Sequence, residues 1–339
     1  MIMGLDHLTI PENYQSKLGI IDTERAIKKI KDTFECALAD ALSLIRVSAP
    51  LFVKTNSGLN DTLSGIERPV AFDVLDLSID VQIVHSLAKW KRIALKRYGF
   101  HENEGIYTDM NVIRRDEQLD NLHSIYVDQW DWEKVITNEQ RNLEFLKNTV
   151  HSIMAALKKT EEVLLEVYPF LESIIPNTIF FITSQELENR YPNFTDKQRE
   201  DSICQEHKAV FIMQIGKILA SGKPHDSRAP DYDDWELNGD ILLWYPVLNR
   251  AVEVSSMGIR VDADSLLKQL KLAGAEDRKN LNFHTQLLAN ELPLTMGGGI
   301  GQSRICMLLL GKAHIGEVQA TIWSEEMIDF CSQQGIALL

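Results

Sequence analysis

Residues 297–304, Gly-Gly-Gly-Ile-Gly-Gln-Ser-Arg, lead straight into an apolar segment of helical length, residues 305–310 (ICMLLL). Glycine lets a ligand approach the backbone closely and adopts dihedral angles that other residues avoid. An arginine one turn into the following helix is well placed to meet an anion or a nucleotide. The plainer interpretation is a tight turn that packs a helix onto a sheet. Residues elsewhere in the chain that could form a site together with this segment decide between the two interpretations.

The composition restricts the class of protein. The chain has 339 residues, of which 45% are hydrophobic, enough for one large domain or at most two. A net charge of −14 argues against general binding to nucleic acids or membrane surfaces, because such proteins cluster Lys and Arg. The four cysteines show no CxxC spacing, which argues against structural zinc or disulfides. With no signal peptide and no membrane-spanning apolar run, we expect a cytoplasmic protein.

Helical and strand patterns follow one another without repeats or a clear linker, so we predict a single domain over residues 1–339. Residues 1–15 form an amino-terminal arm and residues 16–339 the core. Short turns between strands indicate an α+β fold with a central, mainly antiparallel β-sheet flanked by helices. Long helices are predicted over 23–43 and 138–167, loops over 56–65 and 225–235, and strands over 70–75, 81–84, 105–113, 123–133, 179–183, 209–215, 238–245 and 251–261.

Charged residues occur inside several predicted strands. Gln129, Asp131 and Glu133 alternate with two tryptophans, which places the three polar side chains on one face. That face is either solvent or, beside the strand that ends at Arg114, a floor of mixed charge. Further along, Asp240 starts one strand, and Glu253 and Arg260 lie in the next in apolar company; such charges need partners when buried. The acidic loop 225–235 is predicted to expose a tyrosine and a tryptophan.

Together these features resemble the catalytic core of the class II aminoacyl-tRNA synthetases. Residues 47–51 (VSAPL) are similar to motif 1, the dimer-interface motif, residues 114–117 (RRDE) and 129–133 (QWDWE) to motif 2 of the aspartyl branch, and residues 299–304 to motif 3. The resemblance implies a class II synthetase-like core and a homodimer.

Longer strings narrow the resemblance to the ammonia-dependent asparagine synthetases, the aspartate–ammonia ligases. These strings are residues 85–92 (HSLAKWKR), 126–133 (YVDQWDWE), 228–235 (RAPDYDDW), 255–262 (SSMGIRVD) and 297–304. The family reaction then implies L-aspartate, ATP, ammonia and Mg²⁺ as its small-molecule partners. The β-carboxylate of aspartate attacks the α-phosphorus of ATP to give β-aspartyl-adenylate and pyrophosphate, and ammonia releases asparagine and AMP.

The resemblance also implies roles at the nucleotide. Arg114 would face the α-phosphate, whose charge grows in the transition state. Arg304 would lie against the adenine or the γ-phosphate, above a floor made by Gly299 and Gly301. Asp240 and Glu253 would hold Mg²⁺ that bridges the ATP phosphates.

For aspartate, our hypothesis is that Lys91 and Arg260 clamp the α-carboxylate, which presents the β-carboxylate to ATP. Asp61 or Asp233 would accept a proton from ammonium, and the sequence does not choose between them. The remaining substrate-binding candidates are Gln129, Asp131, Ser255 and Ser256. The candidates for catalytic roles are Arg114, Lys91, Asp61 and Gln129.

Three alternatives differ in specific features. A glutamine-dependent synthetase would begin with a cysteine nucleophile, whereas position 2 is Ile2 and the first cysteine, Cys36, is predicted on an apolar helix face. An aspartyl- or asparaginyl-tRNA synthetase would carry an anticodon-binding domain, and only residues 1–22 precede the first predicted helix. A non-catalytic regulatory relative would have lost motif arginines or metal carboxylates, yet Arg114, Arg304 and both carboxylates are present.

Overall fold

The computed structural model describes residues 5–61 and 67–339. Residues 1–4 of the predicted arm, which include Ile2, and residues 62–65 of the predicted loop 56–65 lie outside the described residues.

Eleven strands are found in the described ranges, in two sheets. In chain order they are β1 Leu44–Arg46, β2 Phe52–Lys54, β3 Ala71–Val74, β4 Ile79–Ile83, β5 Gly105–Ile113, β6 Tyr126–Val135, β7 Phe180–Thr183, β8 Ala209–Met213, β9 Asp233–Tyr245, β10 Arg250–Arg260 and β11 Thr295–Gly301. The large sheet has the order β1-β5-β6-β11-β10-β9-β8-β7, and β2-β4-β3 form the small one. Only β1–β5 and β7–β8 pair in parallel, which confirms the mainly antiparallel sheet.

The α-helices of the described part are α1 Ile20–Leu42, α2 Ala88–Tyr98, α3 Leu143–Val167, α4 Ser184–Arg190, α5 Asp196–His207, α6 Ala263–Leu272, α7 Asn282–Leu288, α8 Gln302–Leu309 and α9 Glu325–Gln333. The predicted start of α3 at residue 138 is five residues too early. Asn142 caps this helix, because its side chain accepts a hydrogen bond from the backbone N–H of Phe145 at 2.9 Å. Within the described ranges, no helix is both long and apolar enough to cross a membrane.

The predicted glycine-rich turn is wrong. Its glycines belong to β11, which lies between β6 and β10 in the large sheet, and α8 begins directly afterwards. None of these glycines has a positive φ, so conformational freedom is not the reason for them. A Cβ on Gly297 would collide with Glu133 and Arg260, and one on Gly299 would collide with Gln129. The glycines therefore make room for side chains that reach over the strand from its neighbours.

The two faces of the large sheet carry different layers. One face packs against α1, α3 and α8 in the main core, where Trp130 and Trp132 are fully buried and the rings of Trp130 and Phe34 lie 4.6 Å apart. Burying one such aromatic side chain contributes about 1.5–3 kcal/mol. On the other face, α5 covers β8–β10 and α2 covers part of β5, β6 and β11. The polar residues of β6 lie on this second face, as the alternation predicted.

Three local predictions need correction. The predicted loop 225–235 is not solvated at its end, because β9 already begins at Asp233 and Trp235 is buried. For the same reason Asp240 lies in the middle of a strand and not at its start. Cys36 is exposed on α1 and does not belong to the apolar face of that helix.

Candidate functional site

A cavity of about 420 Å³ opens on the second face of the large sheet. Its walls come from β6, β10 and β11, the β5–β6 connection, the segment before α2, the segment before β9 and the first turn of α8. The structure brings most of the predicted site residues to this cavity. Those that line it are Arg114, Gln129, Asp131, Asp233, Glu253, Ser256, Arg260, Gly299, Gly301 and Arg304.

Arg260 is the central charge at one end of the cavity. Its guanidinium donates to Glu133 from Nε and Nη2, the latter at 2.7 Å, and to Asp233 from Nη1. The ring of Tyr232 lies 5.7 Å from the guanidinium carbon. Although burial opposes the charge, Glu133 and Asp233 raise the pKa of Arg260 above its usual value. The arginine is therefore held in one orientation with its charge intact.

Lys91, on α2, contacts the same group of charged side chains. It is fully buried, donates to the backbone carbonyl of Trp132 at 2.8 Å, and pairs with Asp131 and, at 3.6 Å, with Glu133. Lys91 does not line the cavity; it meets the cavity through Asp131. Burial raises the pKa of Asp131, and the Lys91 ammonium opposes that shift.

Glu133 is a site residue to which the sequence analysis assigned no role. It joins the two cations of this end, Lys91 and Arg260, and it also accepts a hydrogen bond from the Thr295 hydroxyl at 2.7 Å. With Asp131 and Asp233, three carboxylates face two cations here. The signal that could have identified Glu133 was its place in the Gln-x-Asp-x-Glu alternation beside two other polar residues.

Two arginines, Arg114 and Arg304, line the other end of the cavity. Arg114 lies at the end of β5 with its Nη1 3.4 Å from a carboxylate oxygen of Glu117. Its Nε is buried and has no hydrogen-bond partner in the part of the chain that the structure describes. Arg304, in the first turn of α8, donates from Nη1 to the backbone carbonyl of Glu253 at 2.9 Å. Gly301 of β11 lies beside Arg304, and Gly299 lies against the side chain of Gln129.

Two carboxylates lie on neighbouring strands, with Asp240 buried on β9 and Glu253 half-buried on β10. Asp240 pairs with Arg228 and does not itself line the cavity. Burial raises the pKa of Asp240 to about 8, with Arg228 opposing and Glu253 adding to the shift. Burial also acts against ionised Glu253, but Arg304 and Arg228 bring its pKa below the usual value.

Asp61 and Ser255 also stay outside the cavity wall. Ser255 pairs across the sheet with Ile241 and Ile300, which belong to the main core, so its side chain lies on the opposite face from Ser256. Asp61 is buried behind the wall, close enough to Tyr232 to raise the pKa of that phenol in addition to the effect of burial.

A second ion cluster, which the sequence analysis did not find, holds the segment before β9. Asp231 is fully buried and accepts from Lys89 at 3.1 Å, Arg278 at 3.3 Å and His284 at 3.0 Å. These partners keep the pKa of Asp231 far below its usual range despite burial. The cluster fixes the chain next to Tyr232, two residues from the contact between Asp233 and Arg260. Nothing local in the sequence separates this carboxylate from its acidic neighbours.

The profile of the aspartate–ammonia ligase family matches residues 21–335. The chain is 62% identical to the aspartate–ammonia ligase of Clostridium tetani over 335 residues, which cover 98% of each chain. It is 62% identical to that of Ruminiclostridium cellulolyticum, covering 99% of this chain and all of the relative. Identity to the Lactobacillus johnsonii ligase is 60%, with coverage of 98% and 99%.

Among solved structures, the chain is similar to two asparaginyl-tRNA synthetases in complex with asparaginyl-adenylate. The TM-score is 0.65 for the Entamoeba histolytica synthetase and 0.64 for that of Pyrococcus horikoshii, each at 14% identity and over 88% of this chain. The matched regions are 66% and 68% of those longer chains. At such low identity the likeness concerns the fold, and it confirms the predicted class II synthetase-like core.

Proposed function

Because this chain belongs to the aspartate–ammonia ligase family, it is a ligase of asparagine synthesis, and we propose that it works through a β-aspartyl-adenylate. L-Aspartate and ATP give the adenylate and pyrophosphate, and ammonia then gives L-asparagine and AMP. The observation that carries this proposal is the division of one cavity into two charged ends. One end combines Arg260 with three carboxylates, and the other presents Arg114 and Arg304 over the glycines of β11.

The first end suits a substrate that is itself a zwitterion. Arg260 provides positive charge for the α-carboxylate at the cavity wall, and Lys91 adds to it from behind Asp131, while Asp131 and Asp233 provide negative charge for the α-ammonium. Gln129 and Ser256 line the cavity beside them and offer neutral hydrogen-bonding groups. With the α-groups held there, the β-carboxylate is directed toward the nucleotide.

Adenylation needs positive charge at the α-phosphate, because negative charge develops there in the transition state. Arg114 meets that need, since its buried Nε has no partner in the described chain and its side chain lines the cavity. Arg304 is held by the carbonyl of Glu253 and would flank the purine or the γ-phosphate. Gly301, which carries no side chain, lies beside Arg304 and supports close contact with a flat base, whereas Gly299 lies against the Gln129 side chain.

Mg²⁺ fits the donor set of Asp240 and Glu253. A cation would offset the repulsion that Glu253 adds at the buried Asp240 carboxylate, and hard oxygen ligands suit Mg²⁺. The described residues contain no cluster of three or more His, Cys, Asp or Glu side chains arranged for a metal, so phosphate oxygens would complete the shell. Such an ion neutralises phosphate charge during adenylation. Asp240 must exchange its contact with Arg228 for the ion.

The proposal is tested with aspartate whose β-carboxylate carries ¹⁸O. Incubation with ATP, Mg²⁺ and ammonium should give asparagine, pyrophosphate and AMP in equal amounts, with one ¹⁸O transferred to AMP. Formation of ADP, or AMP without label, would contradict the adenylate. Glutamine in place of ammonium should give no asparagine.

The same preparation tests the two other functions that the sequence left open. Charging of tRNA with aspartate or asparagine would favour a synthetase paralogue, and binding without turnover would favour a regulatory relative. We further propose that the protein is a cytoplasmic homodimer that uses only small-molecule substrates.

A further inference from the structure

His85 is a histidine of the cavity wall to which the sequence analysis gave no role. It lies between β4 and α2 and is 2% exposed. Its backbone N–H donates to the Asn60 side-chain carbonyl at 2.8 Å, and Asn60 in turn donates to the backbone carbonyl of Ile83 at 3.2 Å. The position of the histidine is therefore fixed through its backbone, which leaves the imidazole to do something else.

Neither ring nitrogen of His85 makes a hydrogen bond of ordinary distance and angle with residues 5–61 and 67–339, although the ring lies near the Asp61 backbone. A buried imidazole without partners costs about 1–3 kcal/mol per lost hydrogen bond, so a well-packed protein seldom contains one without a purpose. Since His85 lines the cavity, a ligand in that cavity can supply the missing partner.

Several other bases of the cavity wall are already engaged. Asp131 and Asp233 pair with Lys91 and Arg260. Asp128 accepts from Lys31 at 3.0 Å and from the Ser303 backbone N–H at 3.0 Å, and His123 contacts Asp120 at 2.8 Å. To take a proton from the attacking nitrogen, each of these groups would have to give up or share an existing contact.

The proposed second step must remove a proton. As ammonia attacks, the nitrogen lone pair forms the N–C bond and leaves the nitrogen positively charged. The acyl C–O bond of the adenylate then breaks, and its electron pair leaves with AMP. A neutral amide results only when one N–H proton is transferred to a base.

We infer that His85 is this base: its neutral imidazole accepts the proton from the attacking nitrogen and returns it to water through the open cavity. The inference rests on the proposed adenylate. The electrostatics agree with it, because burial and the nearby Arg114 guanidinium lower the pKa of His85, while the Asp61 backbone, Glu67 and Asp116 oppose that shift. The ring is thus uncharged and able to accept a proton at neutral pH.

The two half-reactions separate this role from a structural one. In His85→Gln, the aspartate-dependent exchange of pyrophosphate into ATP should stay within about twofold of the wild-type rate. Asparagine formation from ammonia should fall by about 10²–10⁴-fold, the usual contribution of a general base. Hydroxylamine, a stronger nucleophile, should keep most of its rate of hydroxamate formation. The matched control is His151→Gln, an exposed histidine on α3 that should leave both half-reactions unchanged.

A pH profile and a rescue experiment complete the test. The wild-type rate at saturating NH₃ should fall on the acid side, at a pH below the ordinary histidine pKa of about 6.5, as the imidazole becomes protonated, and His85→Gln should lack that limb. In His85→Ala, added imidazole should restore ammonia-dependent synthesis. Equal loss of exchange and synthesis, or an unchanged rate with ammonia, would overturn the role of His85. Absence of exchange in the wild-type protein would instead overturn the adenylate itself.

Discussion

At the scale of single residues, the site depends on buried charges that compensate one another. Lys91 has no contact with solvent, yet it neutralises Asp131 and Glu133 behind the cavity wall. A lysine in such a position acts on stability and on binding together, because its loss leaves two buried carboxylates without a cation.

Lys91→Met should lower the free energy of unfolding by about 3–5 kcal/mol and raise the aspartate KM by at least about tenfold. The ATP KM should change little, because Lys91 lies at the other end of the cavity. Urea unfolding and aspartate-dependent pyrophosphate exchange measure the two effects.

The matched control for this variant is Lys96→Met, on the same helix, whose pair with Glu291 is exposed and contributes at most about 1 kcal/mol. The double variant Lys91→Met/Asp131→Asn should recover stability without recovering aspartate affinity. An unchanged aspartate KM in Lys91→Met would contradict the clamp.

At the scale of elements, β11 determines how close a ligand can come to the sheet. A methyl group on Gly299 collides with Gln129, whereas one on Gly301 lies 3.3 Å from the Arg304 Cβ, which is a tight but tolerable contact. The two positions, in one strand, therefore differ in how severely an added methyl group would collide with its neighbours.

Gly299→Ala should raise the KM for ATP and aspartate and reduce adenylation by at least about tenfold, because Gln129 must move into the cavity. Gly301→Ala should have a smaller effect, confined to ATP. Gly19→Ala, with nothing within 4 Å of the added methyl group, serves as the control. Pyrophosphate exchange across the series provides the measurement, and equal effects at residues 299 and 301 would contradict the steric explanation.

The segment before β9 has its own pH dependence, which follows from Asp231. A carboxyl whose pKa is lowered by folding stabilises the protein above its unfolded pKa of about 3.9, and that stability is lost as the pH falls. Asp231→Asn should therefore lower Tm strongly at pH 7, and the difference from the wild type should narrow below about pH 4. Thermal unfolding over this range tests the prediction, with the exposed Asp329→Asn as control. A gap independent of pH would show that ionisation of Asp231 is not its source.

At the scale of the whole molecule, the small sheet exposes apolar side chains next to the motif 1-like residues. Phe52 is 43% exposed and Phe72 is 42% exposed, and their rings lie 5.4 Å apart. We expect the protein to sediment at twice its mass of 38.6 kDa, and Phe52→Ser/Phe72→Ser to shift it toward the monomer. Phe194→Ser removes an exposed phenylalanine elsewhere and should leave the dimer intact. A wild-type monomer at micromolar concentration would refute the homodimer.

What the sequence could predict depends on how far apart in the chain the interacting residues lie. The strand of Gln129, Asp131 and Glu133 was predictable, because the alternation of polar and apolar side chains can be read from consecutive residues. The strand of Gly297 and Gly299 was not, because the reason for its glycines lies in the side chains of Gln129, Glu133 and Arg260, none of which is near in the sequence. Likewise, nothing near Lys91 in sequence reveals that it is buried against acids of β6. The resemblance to known families identified these residues without explaining their contacts.

The position of β11 has a consequence for how the chain is made. β11 is the last described strand in chain order, yet it lies in the interior of the large sheet, between β6 and β10. During synthesis, β6 and β10 therefore each keep an unpaired edge until residues 295–301 leave the ribosome. Open strand edges invite pairing with other chains. A chain truncated shortly before β11 should therefore aggregate. The large sheet is completed only late in synthesis, and the cavity with it.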